Sequence, residues 1–237
     1  MKPRISTPTS IIIAGVIVAS AVIFNPNLDE APKKWAPIEQ AQVEELATST
    51  NSQVNVVGVL DDDHIRGDEN ASVVIVAYSD LECPFCKTYH AVLQKIFNNY
   101  KGKVAWVYRH YPIDQLHSKA RSEANATECA YEQGGDAAFW KYTDELFKRT
   151  PSNNRLDPQV LIDIAKEQGL NVSQFANCQS SGKYASKVEA QFQSGVDAGA
   201  RGTPYSVLVT KEGTVYPVKG GAVSYETLKA TIDKLIK

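Results

Sequence analysis

A chain of 237 residues with 43% hydrophobic side chains can bury one substantial core, or one core carrying an inserted subdomain. Its 25 basic and 27 acidic residues leave a net charge of -2, which gives no electrostatic footing for nucleic acid. That partner class is excluded at the outset.

The first element is apolar. Lys2 and Arg4 precede Ile11 to Phe24, and no charged residue occurs from Ile5 to Leu28. An apolar core of that length fits a cleaved signal peptide, whereas the whole charge-free stretch is long enough to span a bilayer. Val18-Ala19-Ser20 as a cleavage site would cut inside the apolar run, so the reading is an uncleaved signal anchor, residues 1–28, with Lys2 and Arg4 on the cytoplasmic side. The rest of the chain then lies outside the cytoplasm, at the cell membrane, where disulfides persist.

Residues 29–64 are rich in Pro, Asn, Asp and Glu and read as an extracytoplasmic linker, with a short helix at Ile38 to Ala47 and an apolar patch at Val54 to Leu60. Asp61-Asp62-Asp63 reads as a solvated turn and is assigned no site. A folded domain is expected over 65–237. Its first strand is Val73 to Tyr78, followed by a helix from Cys83 to Tyr100 and a second strand from Val104 to Arg109, a βαβ unit with parallel strands.

An inserted helical block follows over about 112–199. Its helices are Ser118 to Gln133, Ala137 to Lys148, Asp157 to Gln168, Val172 to Cys178 and Gly182 to Ala198, punctuated by Gly134-Gly135, Pro151 and Gly169. Tyr205 to Thr210 and Thr214 to Val218 then form a hairpin around Lys211-Glu212-Gly213, and Ser224 caps a last helix to Ile236. The expected fold class is α/β with a central mixed sheet, in the order βαβ, helices, ββα.

The stretch Cys83-Pro84-Phe85-Cys86 opens the first helix directly after a buried strand. Unpaired N–H groups and the helix dipole favour a thiolate at Cys83, which makes it the nucleophile. Pro84 falls where a helix tolerates proline, and Cys86, one turn in, is within disulfide reach as the resolving thiol. A zinc site would need a second ligand pair, which Cys129 and Cys178, single and far apart, do not supply; no metal is expected. A ring as small as Cys83-Cys86 would also do little as a structural staple.

The segment YSDLECPFCKTYH, with Ala124 to Gln133, Phe139-Trp140 and Gly202-Thr203-Pro204, resembles DsbA-like thiol:disulfide oxidoreductases of the thioredoxin superfamily, from Ile65 to the C-terminus. The resemblance implies a thioredoxin fold with a helical insertion. It also implies that Pro204 is cis and lies against the cysteine pair, leaving Thr203 to bind substrate backbone. Six residues before the first cysteine the family often carries a buried acid; here Ala77 stands, so proton transfer must go another way. Asp80 and Glu82 read as exposed loop carboxylates, and His90 and His117 as structural. Phe85 replaces the histidine of strongly oxidising members, which implies a less acidic Cys83, and offers an apolar surface to unfolded substrates.

Cys129 and Cys178 read as a structural disulfide in an oxidising compartment, with free buried thiols as the alternative. The expected function is an oxidase that introduces disulfides into exported proteins. A reductase or isomerase on the same scaffold, and a redox-inert holdase for unfolded peptides, are the other readings. No nucleotide or flavin motif occurs, so no cofactor is expected and electrons would leave through a membrane redox partner protein. A monomer is expected.

Overall fold

The computed structural model describes residues 58–236. The signal anchor, the short helix at Ile38 to Ala47 and most of the linker lie outside the described residues. Among those described, no helix is long and apolar enough to cross a membrane.

The sheet begins earlier than the linker boundary at residue 64 would allow. His64–Arg66 form β1, which pairs antiparallel with β3, Val104–His110. Between them in sequence lie β2, Val73–Ser79, and α1, Pro84–Asn99. Every residue of β2 is buried, and its alternation sends Val73, Ile75 and Ala77 into one apolar core and Val74, Val76 and Tyr78 into the other. That double burial explains why the strand reads as a continuous apolar run. β2 and β3 pair in parallel, from Val73↔Val104 to Ser79↔His110.

The helical insertion follows. α2, Ala120–Arg149, is interrupted at Gly134 and at Gly135 (φ 62°), where the left-handed turn suits a residue without Cβ. After it come α3, Gln159–Glu167, α4, Val172–Ser181, and α5, Ala185–Asp197. Gly182 ends α4 in a left-handed cap, so it closes one helix where the sequence pattern had it opening the next. The chain returns as β4, Tyr205–Thr210, antiparallel to β2, then β5, Val215–Pro217, and α6, Tyr225–Leu235, capped by Ser224. The sheet order is β1-β3-β2-β4-β5. At Gly195 α5 comes so close to the sheet that a Cβ would lie 2.5 Å from the Tyr111 ring.

Asp63 is not part of a solvated turn. Its carboxylate accepts Arg109 Nε at 2.8 Å and Nη2 at 2.6 Å, with both side chains buried. Asp61 and Asp62 are exposed. A long-range ion pair, invisible in a run of three aspartates, thus closes the edge beside β1. A second buried cluster ties β1, β3 and the insertion together. Glu128 faces His64 Nε2 at 2.8 Å, His110 Nε2 at 3.2 Å and Lys187 Nζ at 2.9 Å. Burial alone would raise the Glu128 carboxyl, but its two histidine partners hold it well below the usual carboxylate range.

Cys129 in α2 and Cys178 in α4 are joined by a disulfide across a sequence separation of 49. Replacing both by alanine is expected to cost about 4 kcal/mol on the chain-entropy account of a loop that size, read as a lower denaturant midpoint with a steeper slope, since the unfolded chain without the cross-link exposes more surface. A loss below about 1 kcal/mol would show that the insertion is held by its apolar core alone.

Candidate active site

The candidate site is built where β2 stops. Asp80 turns the chain: its carboxylate accepts the N–H of Glu82 at 2.8 Å and of Ile113 at 2.8 Å, and faces His117 Nδ1 at 2.9 Å. Its own N–H points at Cys86 Sγ, 3.5 Å away. This turn delivers Cys83 to the N-cap of α1 with an extended backbone, and Pro84 begins the helix with no N–H to leave unpaired. Lys87 N–H closes the first helical bond onto Cys83 O at 3.1 Å.

The structure brings Cys83, Cys86, Thr203 and Pro204 together. The Thr203-Pro204 peptide is cis, and Thr203 O accepts the Cys83 thiol at 3.6 Å. The β2–β4 ladder starts only at Tyr78↔Tyr205, so Thr203 stands outside it. Cys83 and Cys86 are both free thiols, and both are buried. The hydrogen bond from the Cys86 thiol lowers Cys83 to about 6; burial works against the shift, while the N–H groups of Cys86 and Phe85 and the Thr203 hydroxyl add to it. Cys86 goes the other way. Burial first, and then the Cys83 sulfur, push its thiol well above the ordinary range. Phe85 between them is 66% exposed and Leu116 is 64% exposed, two large apolar side chains open to solvent.

Asp80 and Glu82 are buried, not exposed loop carboxylates: they are 1% and 0% accessible. The insertion covers them. Ser152, Asn153 and Asn154 all have positive φ, and this left-handed turn aims the Asn153 N–H at Glu82 O (2.8 Å) and the Asn154 N–H at the Glu82 carboxylate. Beneath lies Glu123, 1% exposed, whose carboxyl faces that of Glu82. Glu82 Oε1 and both Glu123 oxygens have no other partner. Two carboxylates cannot donate to each other, so one proton must sit between them. Burial, reinforced by Glu82 and Asp80, pushes Glu123 up to about 10, which puts that proton on Glu123. Sequence reasoning missed this pair. The signal was there, since Ala120, Glu123, Ala124 and Thr127 share one inward stripe of α2, where a carboxyl is anomalous.

The two remaining histidines are paired inside the fold. His90 Nε2 lies 2.7 Å from Asp144 Oδ1, and His117 is held by Asp80.

The family model described as Thioredoxin matches residues 60–234. The chain belongs to the thioredoxin family. Among solved structures, this thioredoxin-family chain is similar to Pseudomonas aeruginosa DsbA2, with 28% identity, a TM-score of 0.62, and coverage of 75% of this chain and 96% of that one. It is also similar to Wolbachia pipientis alpha-DsbA1 (23% identity, TM-score 0.66, 77% and 95% covered). Oxidised BdbD from Bacillus subtilis is a further neighbour (24% identity, TM-score 0.63, 73% and 92% covered). These last two speak for the fold. Among curated proteins it is 34% identical over 148 residues to Na(+)/H(+) antiporter NhaA 3 of Salinispora tropica, 61% of this chain and 21% of that protein. The NhaA antiporter of Herminiimonas arsenicoxydans is 33% identical over 142 residues, 60% of this chain and 21% of that protein. The matched segment is thus about a fifth of the length of these curated relatives. The C-x-x-C at the start of α1 and the cis-proline against it thus stand in a thioredoxin-family chain whose fold is similar to that of DsbA2 from Pseudomonas aeruginosa.

Proposed function

We propose that the protein is an extracytoplasmic oxidase that passes its Cys83–Cys86 disulfide to cysteines of exported proteins. The observation that carries this reading is the opposed pair of thiols: Cys83 lowered to about 6 and Cys86 raised. In the oxidised enzyme a substrate thiolate attacks Cys83 Sγ, the bond to Cys86 breaks, and Cys86 leaves and takes up a proton. A second substrate thiolate then attacks the substrate sulfur of the mixed disulfide, and Cys83 departs as a thiolate. Because Cys83 is comfortable as an anion at neutral pH, the reduced enzyme is stabilised and the disulfide is a willing oxidant.

Thr203, outside the ladder, offers backbone to an extended peptide, and Phe85 and Leu116 offer it apolar contact. The Cys129–Cys178 bond supports an oxidising compartment, and the charge-free N-terminal segment supports a tether at the outer face of the cell membrane. Reoxidation would fall to a membrane redox partner protein. One feature favours the reducing or isomerising direction: Phe85 gives the thiolate no side-chain donor.

The redox potential, with the oxidation state of Cys83 in the cell, tests the direction. A potential less negative than about -200 mV and a largely oxidised pair are expected. A potential near about -270 mV with Cys83 reduced in the cell would replace the oxidase by a reductase.

A further inference from the structure

Three consecutive residues, Ser152, Asn153 and Asn154, have φ of 61°, 55° and 64°. None is glycine, and side chains disfavour the left-handed region enough that a run of three persists only where the surroundings hold it. What holds this one is the segment in front of Cys83. The N–H groups of the turn are used in order: Ser152 donates to Thr150 Oγ1 at 3.0 Å, Asn153 to Glu82 O at 2.8 Å, and Asn154 to the Glu82 carboxylate. Lys87, in the first turn of α1, donates to Thr150 O at 2.6 Å.

The side chain of Asn154 works in another direction. Its Nδ2 donates to Leu116 O at 2.8 Å, and its Oδ1 accepts the Lys119 N–H at 3.2 Å and the Ser118 hydroxyl at 3.3 Å. Leu116 belongs to the turn Ile113 to His117, which closes on itself as the N–H groups of Leu116 and His117 both donate to Ile113 O at 2.9 Å. Asp80 fixes the base of that turn through Ile113 and His117. Asn154 fixes it at Leu116. One residue therefore ties the carboxylate next to Cys83 to the backbone of a leucine whose side chain is 64% exposed. A leucine facing solvent adds little to the core. A held backbone beneath a free apolar side chain suits a binding contact, because the ordering precedes the partner's arrival.

Resting on the exchange reaction proposed above, we propose that Asn154 is a positioning residue for substrate, holding Leu116 beside Cys83 so that the protein favours cysteines flanked by apolar residues. Asparagine suits the position: it tolerates the left-handed region and carries both a donor and an acceptor. Hydrogen bonds open to water are individually weak, so the expected effect on substrate binding is about three- to tenfold.

The test is oxidation of a reduced two-cysteine peptide with leucines flanking one cysteine, and of the same peptide with serines there, by the full-length protein with glutathione disulfide as terminal oxidant. Asn154→Gly keeps the backbone free to adopt the turn and removes the side-chain bonds. It should raise KM for the leucine peptide about three- to tenfold with kcat within about twofold, and leave KM for the serine peptide where it was. Asn154→Asp, which keeps the acceptor and loses the donor to Leu116, should also raise KM for the leucine peptide, so a glycine variant that fails to fold does not end the test. Leu116→Ala should match Asn154→Gly, and the double variant should be no worse than either, since both changes remove one contact. Hydrogen exchange reads the cause: the amides of Leu116 and His117 should exchange faster in Asn154→Gly than in wild type. An unchanged KM for the leucine peptide in a folded Asn154 variant, effects that add in the double variant, or an equal rise for the serine peptide would overturn the proposal. So would slower reduction of oxidised Asn154→Gly by dithiothreitol, which would put its effect on the cysteines themselves. A wild type that oxidises neither peptide would instead overturn the exchange reaction on which the proposal rests.

Discussion

Cys83→Ser should lose insulin reduction down to the rate of the chemical reductant alone. With its thiol lowered to about 6, Cys83 is about 90% thiolate at pH 7, whereas an ordinary cysteine is only a few per cent ionised. The sulfur left in the variant is Cys86, buried and shifted upward, with still less thiolate and no access. The expected loss is therefore at least about a hundredfold, far more than a change of one pocket side chain would cause. Cys86→Ser has a different signature. Its Cys83 still attacks, but nothing resolves the product, so substrate should accumulate covalently attached to Cys83 in non-reducing gels. Activity in Cys83→Ser equal to wild type would remove that sulfur from the reaction.

Glu123→Gln should make the oxidised protein more stable at alkaline pH. Glu123 is held at about 10 in the fold against an ordinary 4.5, because it is buried and faces Glu82 and Asp80; Lys119 offsets this only in part. A folded state that binds a proton more tightly than the unfolded chain gains from it fully below about pH 4.5. The gain is lost as pH rises toward the folded value. The loss approaches about 1.4 kcal/mol per pH unit inside that window. Glutamine keeps a donor toward Glu82 and does not titrate. The stability difference between variant and wild type should thus grow with pH, reaching about 5 kcal/mol near pH 9, and vanish near pH 5. Using the disulfide form keeps Cys83 and Cys86 from titrating in the same window. Denaturant unfolding at several pH values reads the difference directly, and a constant one would mean that Glu123 is ionised in the fold.

Much of this fold could be read before any coordinates. β2, β3 and α1 are set by local pattern: an apolar run, a proline at the first helical position, and one buried stripe. β4, β5 and the Ser224 cap are equally local. What stayed hidden depends on partners far away in sequence. β1 is three residues long and has no period of its own; it is held by β3, by the His64 ring stacked on Phe139 at 3.6 Å, and by Arg66 bonded to Asp144 at 2.7 Å. Asp63 looked solvated because its Arg109 partner is 46 residues on.

The site divides along the same line. Cys83, Cys86 and Pro204 stand in short motifs, and the family resemblance implied how they meet. The burial of Asp80 and Glu82 could not be read from polar residues in a loop. It arises because the insertion folds a left-handed turn at Ser152–Asn154 over them, a tertiary event with no signature at positions 80 and 82. Carboxylates that look like solvated punctuation can therefore be the frame of an active site when an inserted subdomain covers them.

The central claim is that the fold makes one sulfur acidic and its neighbour reluctant, and it is met most directly by titrating Cys83 in the reduced, folded protein. Thiolate absorbance and iodoacetamide alkylation, followed from pH 4 to pH 10 with Cys83→Ser as the blank, should both give a midpoint near about 6. A midpoint at about 8.5 or above, with slow alkylation at neutral pH, would contradict the account.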